Sequence, residues 1–84
     1  MFESYRLKRQ AVLSGLSLRL SLYVNIPCRE AVLTLVVDGE LWPVPAPEFR
    51  EVSTPDLAES WFNRINMDHL AESVAHDKRR KAQA

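Results

Sequence analysis

Leu16-Ser-Leu-Arg-Leu-Ser-Leu-Tyr-Val-Asn-Ile26 alternates without interruption: Leu16, Leu18, Leu20, Leu22, Val24 and Ile26 take every second position, and Ser17, Arg19, Ser21, Tyr23 and Asn25 fill the gaps. Successive side chains on a strand point to opposite faces, so this segment has one apolar and one polar face. Wound into a helix, the same apolar residues would scatter around the cylinder. Burying them is worth roughly 9–18 kcal/mol at about 1.5–3 each, and a one-residue slip in register would forfeit all of it. The stretch predicts a strand that needs a sheet beside it and a covering layer above one face.

Upstream, residues 2–10 fit either a strand, with Tyr5 and Leu7 on one face, or a helical turn joining Phe2 to Tyr5 and Arg6. The strand or extended arm is favoured, because Arg6, Lys8 and Arg9 supply the charge that keeps a sheet edge from pairing with other chains. Gly15 predicts a bend or bulge, which makes Ala11 to Ser14 a separate piece and puts a hairpin around residues 9–15. Downstream, Pro27 ends the long strand, and Ala31 to Val37, apolar on both faces, reads as a central strand. Asp38-Gly39 is a strong signal for a two-residue hairpin turn, whose positions both need φ > 0. With that turn Val37 faces Glu40, Val36 faces Leu41, Leu35 faces Trp42 and Leu33 faces Val44, so one face collects Leu33, Leu35, Trp42 and Val44. Pro43 cannot donate to a ladder, which makes residues 40–44 an edge strand, and Pro45 and Pro47 lead the chain away.

Thr54 before Pro55 marks a helix start, with Ser53 and Asp56 as an alternative capping pair. A helix from Pro55 to about Ile65 presents Leu57, Trp61, Phe62 and Ile65 as one apolar stripe. Met67, Leu70, Ala71 and Val74 form a second stripe, roughly opposite the first if the helix continues unbroken. Either the helix breaks at Asn66 and a second one, capped by Asn66 or Asp68, runs to about Ala75, or one long helix offers the second stripe to another chain. The expected architecture is α+β: an antiparallel three- to four-stranded sheet followed by one or two C-terminal helices packed on one face. Residues 1–77 make the single domain, and 78–84 a basic, disordered tail.

A chain of 84 residues buries only about 60% of its unfolded surface on folding, so its core is limited. Charge is segmented: residues 1–30 carry five cations against two acids, residues 31–77 nine acids against two cations, and Lys78, Arg79, Arg80 and Lys81 follow. Cys28 is the one cysteine, which fits a reducing, cytoplasmic setting. No apolar run approaches the roughly 20 residues that span a bilayer, and the N-terminus lacks the order of a signal peptide.

His69, Glu72 and His76 share a helix face at metal-site spacing, but no fourth ligand accompanies them, and a solvated polar face is the simpler reading. Cys28 beside Arg29 has neither base nor orienting group. No glycine-rich phosphate loop and no nucleophile–base constellation is present, so neither an enzyme nor a cofactor or metal site is expected. Two functions remain. The first is a small binding or regulatory protein of inhibitor or adaptor type, acting through protein contacts at Trp42, Met67, Leu70 and Val74. Homodimerisation accompanies it, from the limited core, the opposed helix stripes and an edge-strand tryptophan. The second is a nucleic-acid-binding regulator that uses Arg6, Lys8, Arg19 and Tyr23 on the sheet with Lys78, Arg79, Arg80 and Lys81 in the tail. This second reading requires the acidic side chains to lie on the opposite side of the molecule.

Overall fold

The computed structural model describes residues 3–83; Met1, Phe2 and Ala84 lie outside the described residues, and with them the helical-turn reading of Phe2. Four strands, β1 (Ser4–Leu13), β2 (Leu16–Asn25), β3 (Glu30–Val37) and β4 (Glu40–Trp42), form one antiparallel sheet in sequence order. Helices α1 (Pro55–Asn63) and α2 (Met67–Gln83) follow and pack on one face of it, an α+β arrangement.

Register follows the alternation. Leu18, Leu20, Leu22 and Val24 are almost wholly buried, while of the residues between them Arg19 is exposed and Ser21 and Tyr23 are half-buried. The hairpin joining β1 to β2 turns at Ser14 and Gly15, both at positive φ (52° and 74°), so Ala11 to Leu13 belong to β1 and are not a separate piece. Asp38 and Gly39, at φ 49° and 84°, make the second two-residue turn, and Leu35–Trp42, Val36–Leu41 and Val37–Glu40 pair as the turn requires. The ladder stops at Trp42, before Pro43, so the pairing of Leu33 with Val44 is not made, although both side chains pack against the core.

Two side chains on the inward register of β1 tie the layers together. The Tyr5 hydroxyl donates to the Val52 carbonyl at 2.7 Å, and burial pushes the phenol's pKa up. Arg9 was expected to charge a sheet edge; its odd-numbered register instead turns it inward with Tyr5 and Leu7. There its Nη1 donates to the carbonyls of Phe62 (2.8 Å) and Ile65 (2.9 Å), with the guanidinium 5.9 Å from the Phe62 ring centroid. The Phe62 carbonyl belongs to the last turn of α1 and that of Ile65 to the segment just after it, where the helix dipole favours a cation.

That clamp coincides with the helix break. Asn66 accepts from the His69 amide through its side chain at 3.1 Å and from the Leu70 amide through its carbonyl, which starts α2 afresh. The redirected helix brings Met67, Ala71 and Val74 into the core beside Ala58 and Phe62. Leu57, expected in the α1 stripe, is 46% exposed, and Ala58 takes the inward place. The residues expected to form a disordered tail are helical as far as Gln83. Lys78 reaches Asp38 at 3.5 Å and the Lys81 ammonium stands 4.9 Å from the Trp42 ring centroid, which holds the last turns of α2 against the β3–β4 hairpin.

Candidate functional site

Helices cover only the inward face of the sheet; the other face is open among the described residues. Its side chains follow from the ladder as rows across the strands. Arg6, Tyr23 and Val32 form one row, Lys8, Ser21 and Thr34 the next, and Gln10, Arg19, Val36 and Leu41 a third. These three rows run from polar or cationic on β1 to apolar or neutral on β3 and β4, whereas the row Ser4, Asn25 and Glu30 beyond Tyr23 ends on an acid. Arg6, Lys8 and Arg19 are exposed, and Val32 and Leu41 are 47% and 75% exposed. Between the cations a depression of about 470 Å³ opens, lined by Arg6, Lys8, Gln10, Arg19, Ser21 and Val36 among others.

Tyr23 is held in place. The Asn25 amide donates to its hydroxyl at 3.1 Å, while the Asn25 side-chain oxygen accepts from the Cys28 backbone amide, also at 3.1 Å. The Arg6 guanidinium lies over the ring, 5.3 Å from its centroid. An aromatic ring fixed by one hydrogen bond and topped by a cation is a flat, half-buried platform beside the cationic rows, on the side toward Asn25 and Glu30.

Acidic residues avoid this face. Of eleven in the chain, Glu30 alone takes an open-face register among the described residues, at the end of β3 opposite Asn25. Asp38 occupies a hairpin turn, where its carboxylate accepts from the Ser17 amide at 2.9 Å. Glu48 and Glu51 lie on the β4–α1 connection, and Asp56, Glu59, Asp68, Glu72 and Asp77 on the helices. Glu40 pairs with Val37 on the inward register of β4, and Glu3 precedes β1, so among the strand positions only Glu30 interrupts the separation that the nucleic-acid reading requires.

The other expected positions divide. Of the eight residues assigned to nucleic acid, Arg6, Lys8, Arg19 and Tyr23 share the open face, whereas Lys78, Arg79, Arg80 and Lys81 belong to α2 in the helical layer. Of the four offered to a protein partner, Met67 and Val74 are buried in this chain's own core. Leu70 is half-buried against it because the break at Asn66 turned the second stripe toward the sheet, and Trp42 because it pairs with the buried Leu35 on the inward register of β4. The Trp42 indole Nε1 is buried without a hydrogen-bond partner among the described residues. His69, Glu72 and His76 are exposed along α2, and Cys28 is exposed in the β2–β3 loop.

Gln10 was not singled out from sequence, yet it lines the depression; Asn25, read from sequence as part of the polar face with Arg19, Ser21 and Tyr23, fixes Tyr23. The signal for Asn25 was its even spacing from Tyr23 on the polar side of the alternation. No helix among the described residues is long and apolar enough to cross a membrane. Comparison of the chain with family models, with curated proteins and with solved structures finds no match.

Proposed function

We propose that this chain is a non-enzymatic nucleic-acid-binding regulator whose contact surface is the open face of the sheet. The observation that carries the reading is the sorting of charge: Arg6, Lys8 and Arg19 surround a depression on the uncovered face, while the acids other than Glu30 and Glu3 lie at the Asp38 turn, on the edge strand, on the β4–α1 connection or on the helices. A polyphosphate approaching this face meets cations and a fixed aromatic ring without crossing an acidic surface.

The reading that places a protein partner on the chain draws on the exposed Leu41 and Val12, each 75% exposed. A homodimer formed face to face through the open sheet is disfavoured. A two-fold axis through the depression would set the cationic patch of Arg6, Lys8 and Arg19 against its own copy, and juxtaposed like charges are costly.

Fluorescence anisotropy with labelled oligonucleotides tests the proposal. If the three cations each displace a counterion from a single strand, log K falls with log salt with a slope of about −2. The double variant Lys8→Ala, Arg19→Ala is expected to lose most of that slope while folding as the parent does, because both side chains are exposed. Absence of binding to any nucleic acid at low salt, or a double variant that binds as tightly as the parent, contradicts it.

A further inference from the structure

We infer that the occupant of the open face is a single strand of nucleic acid, lying along β1 and β2 with its phosphates on the cationic side and its bases turned toward Tyr23 and the apolar side. This rests on the nucleic-acid reading above and specifies its ligand. The first ground is the direction of the rows. Between the rows of Tyr23 and Arg19 the cations Arg6, Lys8 and Arg19 stand on β1 and β2, while Val32, Thr34, Val36 and Leu41 on β3 and β4 are uncharged, so this part of the face changes from cationic to neutral and apolar across the strands. A single strand has the same cross-section, with a charged backbone on one side and flat apolar bases on the other.

The second ground is shape. Four strands about 4.8 Å apart put the outer strand axes about 14 Å from each other, too broad a plate for the roughly 12 Å major groove of a duplex. Tyr23 lies on β2, flanked by β1 and β3, and cannot lead into a groove. The part of the β1–β2 hairpin that outruns β3, residues 12–17, could enter one, but it carries no lysine or arginine to meet the phosphates. Unstacked bases, by contrast, are free to lie flat on the platform that Tyr23 offers and to cover Val32 and Leu41. The incoming base replaces Arg6 over the ring, and the freed guanidinium turns to a phosphate.

The experiment compares a labelled twelve-nucleotide mixed-sequence RNA, the same sequence as DNA, and the matching duplexes, titrated with the full chain at one salt concentration. Single strands are expected to bind at least about tenfold more tightly than duplexes. Tyr23→Ala is expected to weaken single-strand binding by roughly 5- to 150-fold, the effect of one lost stacking platform, and Tyr23→Phe to retain it. Should the alanine variant fail to fold, Tyr23→Leu keeps an apolar side chain in the strand but removes the π-face, and the same loss is expected. Duplex binding as tight as single-strand binding, or Tyr23→Ala and Tyr23→Leu that fold and bind like the parent, overturns this inference while leaving the nucleic-acid reading intact. If neither form binds, that reading fails and this one with it.

Discussion

Arg9 occupies the inward register of β1 between Leu7 and Ala11, yet its charged end is not buried without partners, because the carbonyls of Phe62 at the end of α1 and of Ile65 just beyond it receive it. Arg9→Met keeps the aliphatic stem and removes the donors, and is expected to destabilise the fold by about 1.5–3 kcal/mol, the range for hydrogen bonds to charged groups. Urea unfolding measures it, and Arg9→Lys should recover only part, since an ammonium lacks the planar fork of the guanidinium. The spacing of Tyr5 and Leu7 marked the inward register, but the charge of Arg9 grouped it with Arg6 and Lys8 at a sheet edge. Its role was not legible, since the acceptors belong to residues more than fifty positions away. Tyr5 gives a pH signature of its own. Burial raises its pKa in the folded chain, so above the ordinary tyrosine value the unfolded state releases the proton first. Its contribution is complete below about pH 10 and is lost as pH rises through the folded value. Melting temperatures followed across this range are expected to fall more steeply for the parent than for Tyr5→Phe.

Among the elements, strands and helix starts were legible and helix ends were not. Alternation from Leu16 to Val24 fixes which face is buried, Asp38-Gly39 announces its turn, and Thr54 with Pro55 announces α1; the Thr54 hydroxyl accepts from the Leu57 amide at 3.2 Å. Each is a local signal in adjacent residues. The exchange of Leu57 for Ala58 on the buried side, and the continuation of α2 to Gln83, depend on distant partners: the sheet surface in one case, Asp38 and Trp42 in the other. Asn66 is where the two kinds of signal meet, since a break there was one of two readings open in the sequence. Asn66→Ala is expected to cost about 1 kcal/mol through the lost cap, measured by chemical denaturation. Phe62→Ala, by contrast, is expected to cost about 3–5 kcal/mol and Leu57→Ala far less, because Phe62 is enclosed and Leu57 is half in water.

At the scale of the whole molecule, one sheet carries two faces with different tasks. The inward face is closed by helices and holds the core; the outward face stays open and gathers Arg6, Lys8, Arg19 and Tyr23. The polar composition of that face was readable in the odd-numbered residues of β2. Its openness and the withdrawal of the carboxylates were not, because both depend on where the helices pack. The central claim is that ligand binding belongs to this open face. Amide chemical shifts of the isotopically labelled chain, recorded as a short single-stranded oligonucleotide is added, test it most directly. The account expects the shifts to concentrate at Arg6, Lys8, Arg19, Tyr23 and Val32, with Met67 to Val74 unmoved. Shifts concentrated on α2, or none at saturating oligonucleotide and low salt, would contradict it.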